Sequence, residues 1–171
     1  MAKQLIQGEP GPVGGEGLYD RDLYTWCMEQ AALLRAGRLD AVDLENVAEE
    51  IESLGMEQGD KLESAYRVLL VHLLKWHHQP ERRTRSWLGS ITRERANVAR
   101  ALRKNPGLKS RRSELFEDAY RDARKEAAAE TGIALAVFPA ECPFTMEQAL
   151  DDSFLPGPEV ERRLIRVGKR S

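Results

Sequence analysis

The stretch Val68-Leu69-Leu70-Val71-His72-Leu73-Leu74-Lys75-Trp76 is apolar almost all the way around a helix, and a helix of that kind belongs at the centre of a core. Ahead of it runs Ala48-Glu49-Glu50-Ile51-Glu52-Ser53-Leu54-Gly55, an acidic helical stretch that ends in a glycine, a residue that commonly terminates helices. The two together read as a helical pair and set the fold class as all-α.

Working outward, Asp20 is a capping residue for a first helix that closes at Gly37, with Leu23, Trp26, Cys27, Gln30, Ala31 and Leu34 on its inner stripe. Asp40 or Asp43 caps the second helix, whose inner stripe is Leu44, Val47, Ala48, Ile51 and Leu54. The third helix starts between Glu57 and Asp60 and stops before Pro80, because the residue preceding a proline disfavours the α region. A fourth helix is predicted from about Ser86 to Lys104. A fifth runs from about Ser110 to Glu130, with Leu115, Ala119, Ala123 and Ala127 at spacing four and Thr131-Gly132 as its stop. The apolar run Ile133 to Phe138 is short and has no strand partner, so it reads as an extended segment laid over the helices. Thr145-Met146-Glu147-Gln148 is a capping box that opens a short last helix. Short links impose antiparallel neighbours. The expected architecture is a single-domain up-down bundle of about five helices over residues 18–156, with a C-terminal extended segment and short helix. A Gly- and Pro-rich segment, 1–17, precedes it as a disordered stretch, and a loose basic tail, 157–171, follows.

Length and composition bound the function without naming it. A chain of 171 residues is long enough to bury a real core. Its two cysteines, Cys27 and Cys142, form no metal or disulfide pattern, and Cys142, followed by Pro143 in an extended segment, reads as structural. No apolar run has the length of a membrane span. The N-terminus lacks a signal-peptide apolar region, which makes cytoplasm the expected compartment.

The net charge of −2 conceals strong segregation. Residues 1–60 carry 4 Lys and Arg against 13 Asp and Glu, residues 75–112 carry 12 against 2, and residues 113–154 carry 3 against 10. Either the basic segment lies against its acidic neighbours, or it offers a basic face to phosphate.

The ordered set Tyr19-x-x-Asp22-x-Tyr24-x-Trp26, Leu33-Leu34-Arg35-x-Gly37, Ala48-Glu49-Glu50-Ile51-Glu52-Ser53-Leu54-Gly55, His72-Leu73-Leu74-Lys75-Trp76, Arg85-Ser86-Trp87 and Cys142-Pro143-Phe144-Thr145 resembles domain of unknown function family twenty-nine. The likeness spans about residues 18–156. It implies an all-helical, single-domain bacterial protein and no particular activity. Phe144 stands where tyrosine is expected as often.

Three constellations could carry chemistry. Glu45, Glu49 and Glu52 share one side of the second helix, as metal-binding carboxylates do in helical bundles; the alternative is a solvated acidic face. His72 sits between Val68, Leu69 and Trp76 and needs a partner for its ring N–H. If the chain folds back near residues 56–59, Glu45 comes opposite His72, while Glu52 stays on the order of 10–18 Å away along the axis. With Lys75, the candidates for catalysis are Glu49, Glu52 and His72, and those for metal binding, as a weaker reading than no metal site, are Glu45, Glu49, Glu52 and His72. The third constellation is the corner Trp76-His77-His78-Gln79-Pro80-Glu81-Arg82-Arg83-Thr84-Arg85-Ser86-Trp87. There Trp76, Arg82, Arg83, Arg85 and Trp87 could hold phosphate and stack on bases, or simply close the end of a helix.

No phosphate-binding glycine loop, dinucleotide fingerprint or nucleophile elbow is present. No cofactor is indicated, and whether the protein is an enzyme stays open. The favoured reading is a binding or interaction module with segregated acidic and basic faces, whose partner is a protein or a nucleic acid engaged through residues 75–112. The alternative is a metal-dependent hydrolase of a phosphate ester, and a homo-oligomer is a third reading.

Overall fold

The computed structural model describes residues 17–157; the expectations for the N-terminal segment and the basic tail fall largely or wholly outside the described residues. Among the described residues there are helices and turns and no strand, so the chain is all-α as expected. The helices are α1 (Leu18–Arg21), α2 (Leu23–Arg35), α3 (Leu44–His78), α4 (Arg85–Lys104), α5 (Arg112–Thr131) and α6 (Met146–Leu150). The chain divides into two compact units on either side of the Gly55–Met56 junction.

The main correction concerns α3. The second and third predicted helices are one helix of 35 residues that runs through Gly55 and Gly59. A glycine ends a helix by taking a left-handed conformation, and in this chain only Gly37 and Gly132 do so among the described residues. Gly55 and Gly59 each weaken the helix by roughly 1 kcal/mol relative to alanine. The helix formers around them, with no proline, and the Lys61–Glu57 pair at 2.6 Å one turn apart carry it across. The fold-back near residues 56–59 therefore does not form.

In the first unit, Asp22 rather than Asp20 caps the long helix, its carboxylate accepting from Thr25 N at 3.0 Å. The helix closes in a Schellman motif: Gly37 N donates to Leu34 O at 3.2 Å and Arg38 N to Leu33 O at 3.0 Å. Asp43 caps α3 by accepting from Asn46 N. The pair is antiparallel, since Tyr19 OH donates to Glu50 at 2.7 Å at one end while Asp43 N donates to Gln30 Oε1 at 2.9 Å at the other. Trp26 is the one large apolar side chain buried among the described residues of this unit; Tyr19 meets it edge-on at 4.9 Å and Gln30 is buried beside it. Most of the predicted inner stripe is not inside. Leu23, Leu34, Leu44, Ile51 and Leu54 are 43–64% exposed.

The second unit holds the core. Leu62, Tyr66, Leu69, Leu70, Leu73 and Leu74 of α3 are fully buried, so the apolar stretch from Val68 to Trp76 belongs to the central rod it was expected to be. Ile91 and Val98 of α4 join that core, as do the predicted Leu115, Ala119, Ala123 and Ala127 of α5. Helix α4 is capped by Thr84 and α5 ends at Gly132 with φ +71°. The segment after α5 is irregular rather than a strand, and buries Phe138. Arg124 fastens it by donating to Phe138 O at 2.9 Å and Leu135 O at 3.3 Å, and Tyr120 OH donates to Pro139 O at 2.7 Å. The Thr145–Gln148 capping box forms as read.

Burial pushes the Cys142 thiol up to about 11, and pushes the Tyr120 hydroxyl up as well. Both groups are neutral when protonated. Their contribution is therefore complete below the unfolded values and is lost as pH rises through the folded ones. Stability should be level up to about pH 9 and fall from there to pH 12. Chemical denaturation across that range checks this, and a double variant Tyr120→Phe, Cys142→Ser should flatten the slope.

Candidate functional site

The residues proposed for catalysis and metal binding are not gathered. Glu45, Glu49 and Glu52 lie exposed on the first unit, whereas His72 belongs to the second. The juxtaposition of Glu45 with His72 needed a turn that the continuous α3 replaces. His72 is half-buried, and its Nδ1 lies 2.9 Å from Val68 O of its own helix, so its partner is a backbone carbonyl. Among the described residues no three His, Cys, Asp or Glu side chains are placed to hold a metal ion. Lys75 pairs with Glu130 at 2.5 Å and lies over the Trp87 ring at 4.7 Å. Arg85 is exposed and forms no ion pair among the described residues.

The basic corner after α3 is partly structural. Arg83 lies over the Trp76 ring at 5.1 Å, donates to Trp76 O at 2.9 Å and reaches Pro156 O at 3.4 Å. It thereby satisfies a terminal carbonyl of α3. Trp76 and Trp87 are half-buried and each carries a cation on a face. Arg82 and Arg85 point into water without ion pairs among the described residues.

Along α4 the arginines divide by the face they occupy. Arg95 stands four residues after Ile91 and three before Val98, on the apolar stripe, and is 5% exposed. Its guanidinium donates to Ala149 O at 2.9 Å, Asp152 O at 3.3 Å and Phe154 O at 2.6 Å. Burial pushes its pKa down, while Asp152 and Asp151 pull it back up. Glu94, also buried, accepts from Arg93 at 2.8 Å and from Asn97 at 2.8 Å. Asn97 in turn accepts from Arg100. This relay leads to a groove of about 530 Å³ between α3 and α4, with Lys61, Arg100 and Lys104 on its rim and Ala65, Val68 and Ala101 on its floor.

At the far end of α4 and the start of α5, Arg103, Lys104 and Lys109 form no ion pair among the described residues, while Arg111 is held by Glu114 at 3.1 Å. The hydrogen bond from Arg111 holds the Glu114 carboxyl below its usual range. Sequence reading offered the whole basic stretch 75–112 with the α3–α4 corner at its start; among the described residues the cations without ion pairs in that stretch include a group at each end of α4.

A second cavity, of about 610 Å³, lies over Phe116, Tyr120, Cys142, Phe144 and Met146. Its thiol is protonated at neutral pH for the reason given above, which fits a structural cysteine.

No curated protein and no solved structure is detectably similar to this chain. The family model for the domain of unknown function DUF29 matches residues 18–155, which reaches into both units and takes in every helix described above, and the chain belongs to that family.

Proposed function

We propose that this protein acts by binding rather than by catalysis, and that its partner is polyanionic, with nucleic acid as the reading best supported. The observation that carries this is the division among the ionisable residues. The candidate catalytic groups His72 and Lys75 are engaged in packing or pairing within the fold. A set of cations on residues 82–109, namely Arg82, Arg85, Arg103, Lys104 and Lys109, stands in water with no ion pair among the described residues.

Arg82 and Arg85 supply phosphate contacts at one end of α4. Arg103 and Lys104 supply them at the other, continuing into the groove rimmed by Lys61 and Arg100. Trp76, Trp87 and Arg83 anchor the first corner instead of stacking on bases, because the half-buried rings each already carry a cation on one face and Arg83 spends donors on Trp76 O and Pro156 O.

Titration of the full chain against single-stranded and duplex nucleic acid at 50 and 200 mM salt tests the reading. About four neutralised phosphates correspond to a fall in affinity of roughly a hundredfold between those salts. The variant R103E/K104E should lose affinity evenly across sequences and shallow the salt dependence by about two phosphates. Absence of binding at 50 mM salt contradicts the proposal.

A further inference from the structure

Helix α3 carries one apolar line along its whole length. At 100° per residue, Leu44, Ala48, Ile51 and Gly55 fall on the same line as Leu62, Tyr66, Leu69 and Leu73, five turns further on. The later four are wholly buried, whereas Leu44 is 61% and Ile51 64% exposed. On α2, Leu23, Cys27 and Leu34 form a second line beside buried Trp26 and Gln30, and all three are exposed. The two helices run antiparallel, and each line is displaced in the same rotational sense from the buried contact between them. Both lines therefore lie on one side of the pair. Leu39, 60% exposed, stands at the bend that joins the two helices.

Among the described residues of this helical pair only Trp26 and Gln30 are buried, a small interior for a unit to hold its shape alone. The buried donors Trp26 Nε1 and Gln30 Nε2 also lack acceptors among the described residues.

We propose that this face is covered by the same face of a second copy of the chain, two helical pairs closing into a four-helix arrangement about a twofold axis. Two features favour a second copy. Leu23, Leu34, Leu39, Leu44 and Ile51 offer on the order of 100 Å² each, roughly 1,000 Å² over two copies, which reaches the size of a specific interface. In addition, Glu45 and Glu49 lie about 110° and about 150° around α3 from the line through Leu44 and Ile51, and Glu52 about 90°, so a twofold mate covers that line with these carboxylates at its edge rather than at its centre. The acidic ridges still repel at longer range, so added salt tightens the pair; a basic partner helix on the same face would show the opposite dependence. This inference does not rest on the basic face of the second unit, and nucleic-acid binding can fail without affecting it.

Sedimentation equilibrium of the full chain provides the test. The expected result is a mass of about 39 kDa at 100 µM, twice the 19.3 kDa chain, and tighter association at 500 mM than at 50 mM NaCl. L44K/I51K should sediment as a monomer at 100 µM with its far-ultraviolet helix signal retained, while Met28→Lys, on the opposite side of α2, should remain dimeric. As a readout that needs no variant, alkylation of Cys27 by N-ethylmaleimide should slow severalfold between 1 and 100 µM protein, as the monomer fraction falls with the inverse square root of concentration. A monomeric wild-type chain at 100 µM, an undiminished L44K/I51K dimer, a pair that loosens with salt, or a concentration-independent alkylation rate would each overturn the proposal.

Discussion

Replacing Arg95 by alanine should lower the stability of the protein by about 3 kcal/mol and free the C-terminal segment. The side chain is buried and spends its donors on the carbonyls of Ala149, Asp152 and Phe154. These are charge-assisted bonds in a dry setting, and each acceptor left without a donor costs on the order of 1–3 kcal/mol unless water reaches it. For a chain of this size the loss corresponds to a melting point lower by roughly 6–12 °C. Amides from Ala149 to Phe154 should exchange with solvent much faster, while those of α3 from Leu62 to Leu74 keep their protection. Arg95→Met retains the aliphatic stem and should recover part of the melting point without restoring slow exchange at Phe154. A loss below 1 kcal/mol would show that these carbonyls find water easily.

Trp26→Ala has the other large expected effect, confined to the first unit. Truncating a buried tryptophan costs about 3–5 kcal/mol. Among the described residues of the first unit Trp26 is the only large apolar side chain that is buried, so the loss removes most of the apolar packing that holds α2 against α3. Hydrogen exchange should show α2 and residues 44–52 unprotected, with the second unit unchanged because its core draws on other helices. Retention of slow exchange in α2 would mean that contacts other than Trp26 hold it.

Much of this fold was legible in the residues because periodicity and caps act locally. The rod from Leu69 to Leu74, the alanine ladder of α5, its stop at Gly132 and the Thr145–Gln148 box depend on neighbours three or four positions away, and all form as read. Gly55 misled because a glycine in sequence does not reveal its φ; here good helix formers and the Glu57–Lys61 pair outweigh its cost. The stripe of Leu44 and Ile51 was read correctly as apolar and wrongly as interior, since a pattern shows that a face needs covering without showing what covers it. Arg95 was counted within the basic stretch 75–112 although it serves backbone carbonyls. The local clue was its place on the stripe between Ile91 and Val98. The pairing of Glu45 with His72 depended on the same misplaced turn, which the continuous α3 replaces.

The central claim is that residues 44–78 form one uninterrupted helix, since the apolar line shared by its two halves and the loss of the fold-back near residues 56–59 both follow from it. Backbone Cα chemical shifts of the full-length protein in solution test it most directly. The account predicts helical secondary shifts at every residue from Glu52 to Lys61, including Gly55 and Gly59. A return to coil values over residues 55–59, with helical shifts on both sides, would contradict it and restore the hairpin.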